Sequence, residues 1–228
     1  MMISFENTDA SSFLDNAKYY YDRELLNILE KIALCYTRIV ENNELVLNNE
    51  DAIRDHIHCN YLNNSNIRNE LNFSYHFECE PKEYGVSDGY LDIKVFNENI
   101  FANPSEYYII ECKRLDSTNP KGKAGLNSKY INDGILRFID KKYSCYHRVN
   151  GMIGFIVQQV DIDDNVNCIN DVLRDQYPNA NTTKFLTKNN SIESYKYLYD
   201  SEHTDIDSNQ LVLYHLMLDF SSNIKIVN

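Results

Sequence analysis

The sequence predicts an α/β protein in which a central mixed β-sheet is flanked by helices and preceded by a helical N-terminal segment. Three observations carry that expectation. Residues 23–62 repeat their apolar side chains at helical spacing, residues 71–113 alternate or cluster them as strands do, and residues 128–160 place an amphipathic helix directly before a strand of nearly unbroken apolar character. A helix between two strands is the crossover that parallel pairing requires.

From Arg23 to Val40, the residues Leu25, Ile28, Leu29, Ile32, Tyr36, Ile39 and Val40 keep the three-and-four spacing of an amphipathic helix. A second helix begins after Asn48 or Asn49, both good N-caps, and runs to about Leu62. Ile53 and Ile57 form its apolar stripe, and Glu50 lies on the same stripe. From Leu71 to Glu80 apolar and polar residues alternate, which predicts a half-buried antiparallel strand. Tyr90 to Val95 and Tyr108 to Lys113 read as the next two strands by their β-branched and aromatic content, joined by a polar loop holding Asn97, Asn103 and Pro104. A helix from about Ser128 to Tyr143 turns Ile131, Ile135, Phe138 and Ile139 inward and Lys129, Asp133 and Arg137 outward. Gly151 to Val160 reads as a buried parallel strand, followed by a short helix around Asn165 to Arg174, a polar stretch, and a last strand from Leu211 to Phe220. The expected order is ααβββαβαβ.

The 228 residues fit a single domain over 1–228, with 1–20 as an N-terminal arm. Hydrophobic residues at 43% and aromatics at 12% exclude a disordered chain. No stretch of about 18 uncharged apolar residues exists to span a membrane. The polar, acidic segment Met1 to Asp9 lacks the basic region of a signal peptide, so the expected location is the cytoplasm. Cys35, Cys59, Cys79, Cys112, Cys145 and Cys168 are widely spaced and show no Cys-x-x-Cys pair, so they are expected as reduced thiols rather than as disulfides or a zinc knuckle. His56 and His58, two apart on a helix, point to different sides and make a poor ligand pair.

A net charge of −12 argues at first against a nucleic-acid partner. Its distribution points the other way. Residues 111–150 hold nine basic residues against four acidic ones, a local balance of +5 that leaves −17 for the rest. The positive stretch includes Lys113, Lys121, Lys123, Lys129 and Arg137, where a substrate phosphate would be gripped. A solvated helix face is the alternative.

Two segments carry chemistry: Tyr90-Leu91-Asp92-Ile93-Lys94-Val95 and Tyr108-Ile109-Ile110-Glu111-Cys112-Lys113. Glu111 and Lys113, two apart on a strand, leave the same face, while Ile110 and Cys112 leave the other. Asp92 on the neighbouring strand lies opposite them. Two carboxylates and an ammonium on an apolar sheet are costly to bury unless they hold a cation, and oxygen ligands suit magnesium or manganese. Asp88 competes with Asp92 for the acidic position, but it precedes the turn at Gly89 and reads as a loop residue. If Asp92 and Glu111 crowd one another, Asp92→Asn would relieve repulsion and stabilise the metal-free protein.

These segments resemble the PD-(D/E)XK nuclease superfamily, whose restriction-endonuclease-like core has the same order of strands and crossover helix. The likeness covers roughly Glu50 to Val160. The run from Asn127 to Phe138, then Lys142-Tyr143 and Gly151-Met152-Ile153-Gly154-Phe155, is similar to that of nucleases of bacterial defence and restriction systems. The proline that gives the superfamily its name is absent here, and Leu91 precedes Asp92. The resemblance implies hydrolysis of DNA phosphodiester bonds with Mg²⁺, for which Mn²⁺ can substitute. It implies Asp92, Glu111 and the backbone carbonyl of Cys112 as metal ligands, Lys113 as the residue that orients or deprotonates the attacking water, and Glu50 as a further member of the metal shell. For Glu50 the alternative is an acid favoured by the helix macrodipole. Lys129, Arg137, Lys121 and Lys123 would meet DNA, and Gln158 or Gln159 would orient substrate or close the strand end. No sequence-reading module is evident, so a partner protein, such as an ATPase or another defence-system subunit, or a homodimer would supply specificity and control. An RNA-directed nuclease of the same fold and a non-catalytic nuclease-like subunit are the alternatives.

Overall fold

The computed structural model describes residues 10–82, 89–97 and 106–226 of the chain. Helix α1 spans Ala10–Glu41. It starts well before Arg23 because no glycine or proline interrupts residues 10–41, although the buried stripe of Leu25, Ile28, Leu29, Ile32 and Ile39 begins later. The residues of the expected N-terminal arm are therefore helical from Ala10 onward, and residues 1–9 lie outside the described ones. Helix α2 (Glu50–Ile57) opens on Asn49, whose side chain accepts the Ala52 N–H, with Glu50 and Asp51 in its first turn. It continues as a π-helical turn over His58–Leu62.

A third helix, α3 (Ser65–Glu70), is capped by Asn64 and is not foreshadowed by any apolar periodicity. It shortens the next strand. Leu71 bonds back to Ile67, Asn72 takes a left-handed φ of 51°, and β1 extends only over His76–Cys79 rather than from Leu71. Strands β2 (Ile93–Phe96) and β3 (Tyr108–Leu115) follow. Residues 98–105 of the loop joining them, with Asn103 and Pro104, are outside the described residues.

The crossover helix is interrupted. Helix α4 (Leu126–Tyr130) passes through a π-helical turn, Ile131–Ile135, into α5 (Leu136–Ile139). It stops short of Tyr143, Lys141 having turned to a φ of 55°. Strand β4 (Val149–Ile156) is buried at every residue, as its apolar run predicts. Helix α6 (Ile162–Gln176), capped by Asp161, leads to β5 (Thr182–Lys188), β6 (Leu198–Thr204) and β7 (Gln210–Asp219).

The seven strands form one mixed sheet in the order β1-β2-β3-β4-β7-β6-β5. β3, β4 and β7 are parallel, and antiparallel strands extend the sheet on both sides. One face packs on α1 and α2 through Leu29, Ile32, Ile53, Ile110, Ile153 and Leu216. The other packs on α4, α5 and α6 through Ile131, Phe138, Met152, Ile156, Ile169 and Leu213. Among the described residues no helix is long and apolar enough to cross a membrane.

β5 and β6 lie in the stretch that reads as polar. Asp200, Ser201 and His203 are buried on β6, and they are bonded rather than apolar. Asp200 pairs with Lys184 and Asn189, while Ser201 links His203 to His215, which also meets Tyr130. A strand built of satisfied polar groups leaves no apolar alternation to find.

Candidate active site

The site begins with a strand that is too short. β2 pairs Ile93 with Ile110 and goes no further, so the outer edge of β3 is unpaired from Glu111 onward. On that edge the peptide groups of Cys112 and Arg114 face away from β4, and buried N–H groups need partners. Two carboxylates supply them. Asp92 Oδ2 accepts the Cys112 N–H at 2.8 Å, and Glu50 Oε2 accepts the Arg114 N–H at 2.8 Å.

Helix α2 brings Glu50 to this edge. Its first-turn position satisfies the macrodipole and the edge amide at once.

Lys113 stands at the centre. Its Nζ lies 2.7 Å from Glu111 Oε1, 2.7 Å from the Cys112 carbonyl, 3.1 Å from Glu50 Oε1 and 3.6 Å from Asp92 Oδ2. Burial works against its charge, but Glu111, Asp92 and Glu50 outweigh it and hold the pKa well above that of an ordinary lysine. The stem of Lys113 runs close beneath the π-helical turn. Gly134 permits that approach, since a Cβ there would stand 2.5 Å from Met152 Cε and 3.6 Å from Lys113 Cγ.

Glu111 is only 1% exposed. Burial first, and the charge of Asp92 second, push its carboxyl up to about 7 against the pull of Lys113 and Arg137. Tyr143 donates to Glu111 Oε2 at 2.7 Å, and Arg137 donates to the Tyr143 hydroxyl while standing 3.5 Å from Glu111 Oε1. Oε1 has the ion-pair distance to Lys113 but no hydrogen bond of good geometry, so a buried carboxylate oxygen keeps open lone pairs.

Arg54, four residues after Glu50 on α2, is 2% exposed. It bonds Asp92 Oδ1 at 2.9 Å, Asp55 at 2.9 Å, Glu80 at 2.9 Å and Asp51 at 3.2 Å. Desolvation lowers its pKa, but Asp55, Cys79 and Asp92 raise it well above the usual guanidinium value. Asp92 and Glu111 are therefore not an uncompensated pair. Lys113, Arg54 and Arg137 stand against Asp92, Glu111 and Glu50, so the repulsion that Asp92 exerts on Glu111 is partly compensated by the protein's own cations.

The oxygens of Asp92, Glu111 and Cys112, with Glu50 beside them, already surround one cation, the Lys113 ammonium. That donor set suits a hard divalent ion. Two side-chain carboxylates and a carbonyl make up its core, and among the described residues no group of three or more His, Cys, Asp or Glu side chains is arranged to hold a metal ion.

Beside this centre opens a cleft of about 300 Å³ lined by Asn49, Glu50, Lys113, Arg114, Leu126, Lys129, Asp133 and Arg137. The structure thus gathers Glu50, Lys113, Lys129 and Arg137 on one concave surface. Lys121 and Lys123 do not line it. Lys121 sits on the exposed β3–α4 loop, 2.6 Å from Asp171, and Lys123 is exposed two residues on. Gln158 accepts from the hydroxyls of Ser117 and Thr118 and ties down that loop, while Gln159 is exposed. Asp88 lies outside the described residues. His56 pairs with Glu44 and His58 with the Phe77 carbonyl, both away from the site. A larger groove of about 1220 Å³ lies along α1, among Tyr19, Tyr20, Glu24 and Tyr75, but it holds none of this convergent charge.

The sequence pattern does not single out Arg54 or Arg114, and it places Tyr143 in the run that carries the resemblance without giving it a role. For Arg54 it does hold a signal, an arginine flanked by the stripe residues Ile53 and Ile57 and one turn from Glu50. No protein-family model, curated protein or solved structure matches this chain.

Proposed function

We propose that the chain is a metal-dependent phosphodiesterase that cuts DNA, of the PD-(D/E)XK kind, serving as the nuclease component of a defence or restriction system. The observation that carries this reading is the ring of oxygens from Asp92, Glu111, the Cys112 carbonyl and Glu50 around one buried cationic position beside a basic cleft. Asp92, Glu111 and the Cys112 carbonyl would hold Mg²⁺ or Mn²⁺, with Glu50 completing the shell. When bound, such an ion lowers the pKa of a water and withdraws charge from a phosphate.

Without a metal the carboxylates of Glu111, Asp92 and Glu50 favour the charged form of Lys113; beside a bound ion its part would be to orient or deprotonate the attacking water and to stabilise the charge that grows on the phosphate. Tyr143 fixes the plane of Glu111 by donating to Oε2, which leaves Oε1 turned toward Lys113. Arg114, Lys129 and Arg137 line the cleft where flanking phosphates would lie, and arginine forks suit them. The acidic remainder of the surface would keep the polyanion to this one face.

A non-catalytic subunit with the same fold is the second reading. It is favoured by the full set of protein partners on Asp92, both of whose oxygens are bonded. The test is cleavage of supercoiled plasmid, with a single-stranded RNA in parallel, at millimolar Mg²⁺ or Mn²⁺ and after chelation. Metal-dependent nicking of DNA that falls by orders of magnitude in Asp92→Ala and Lys113→Ala is the expected result. Cleavage of RNA alone would transfer the activity to the other nucleic acid. Parental rates in both variants would place the chemistry elsewhere.

A further inference from the structure

We infer that Arg54 is the positioning residue for Asp92, holding its carboxylate in the one orientation that presents it to a cation; this rests on reading Asp92 and Glu111 as cation ligands. A guanidinium at 2% exposure is costly to desolvate, and position 54 adjoins Ile53 and Ile57, where an apolar side chain would pack without that cost. Its carboxylate partners differ in what they need. Asp51, Asp55 and Glu80 have side chains 65%, 53% and 54% exposed, so water serves them without Arg54. Asp92 is 14% exposed and faces the Lys113 centre.

The geometry around Asp92 is fixed from two elements. Arg54 Nη1 on α2 holds Oδ1 at 2.9 Å, and the Cys112 N–H on β3 holds Oδ2 at 2.8 Å. Rotation about the Cβ–Cγ bond would break both. Each oxygen still has a lone pair to offer, since a carboxylate accepts about four bonds. The guanidinium spreads its bonds over all three nitrogens, with Nη1 on Asp92 and Asp51, Nη2 on Asp55 and Glu80, and Nε on Asp55. An ammonium, a single point donor, does not reproduce that fork. The outer carboxylates anchor Arg54, and Arg54 anchors Asp92.

The experiment is calorimetric titration of metal-stripped protein with Mn²⁺ alone, paired with thermal melts in chelator. Four proteins are compared: parent, Asp92→Asn, Arg54→Lys and Glu80→Gln. Parent should bind and Asp92→Asn should not. Arg54→Lys, while folded, should bind roughly 10- to 100-fold more weakly, the usual loss when the partner of a metal ligand is removed. Glu80→Gln, which removes the charge of one partner of Arg54 but leaves Asp92 its bond, should keep the parental Kd. If Arg54→Lys does not fold, Arg54→Gln is titrated against the same criterion. A Kd in the folded Arg54 variant within threefold of parent overturns the inference and leaves the cation site standing. Absence of Mn²⁺ binding in the parent overturns both.

Discussion

Replacing Asp92 by Asn should destabilise the metal-free protein, although two acids facing one another on a sheet suggest the reverse. The substitution removes a charged hydrogen bond to buried Arg54 and weakens the one from the Cys112 N–H, together about 1.5–3 kcal/mol. The full cost of breaking a buried ion pair is not reached, because Arg54 keeps Asp51, Asp55 and Glu80. Against this stands relief for Glu111. Its carboxyl is raised to about 7, chiefly by burial and only secondly by Asp92, so the part that Asp92→Asn returns is roughly 1 kcal/mol once Glu111 is ionised. The net loss is about 0.5–2 kcal/mol. For a chain of this size that is a fall in Tm of roughly 1–8 °C. The assay is a thermal or urea melt in chelator at pH 8, where Glu111 is charged. An Asn variant that melts at or above the parental temperature would refute the charge balance argued from Arg54 and Lys113.

Two further outcomes are expected. Lys129→Ala should flatten the salt dependence of DNA binding by about one unit of slope, whereas Arg137→Ala should also lower Tm, because Arg137 holds Tyr143 and Glu111; a slope unchanged in Lys129→Ala would return that residue to a solvated helix face. Stability should also fall in acid through His203. Burial lowers its pKa to about 4, so its contribution is complete above the unfolded value of 6.5 and is lost as pH drops from 6.5 toward 4, by about 3 kcal/mol. Glu111 works oppositely between about 7 and its unfolded value of 4.5, because its folded pKa is raised. His203→Gln should therefore flatten the acid side of a Tm-versus-pH curve, and an unaltered slope in that variant would show that His203 does not set it.

What can be read from the sequence is what repeats. The stripe of Leu25, Ile28, Leu29 and Ile32, the cap at Asn49, and the nearly unbroken apolar run of β4 each state their structure locally, and the structure follows them. The two-residue spacing of Glu111 and Lys113 likewise places both side chains on one face, with Cys112 on the other. What escapes is decided by distant partners. β6 is a strand because Lys184, Asn189 and His215 satisfy its Asp200 and Ser201, and nothing within residues 198–204 announces those partners. The alternation from Leu71 to Tyr75 has the pattern of a strand but loses to the local bonding of α3 and the left-handed Asn72. Charge alone groups Lys121 with Lys129, and the fold sends it to Asp171.

The same contrast accounts for the site. A longer β2 would pair with residues 111–115 and give the edge amides of β3 backbone carbonyls as partners. Because β2 opens only at Ile93, carboxylates from a loop-proximal Asp92 and a helical Glu50 take those places instead. Once there, they stand with the Cys112 carbonyl of that edge around the Lys113 ammonium. Desolvated acids this close need compensating cations. Lys113, Arg54 and Arg137 are those cations, each from a different element: β3, α2 and α5. The concentration of charge follows from where a strand begins, and for that reason the motif residues alone do not disclose Arg54.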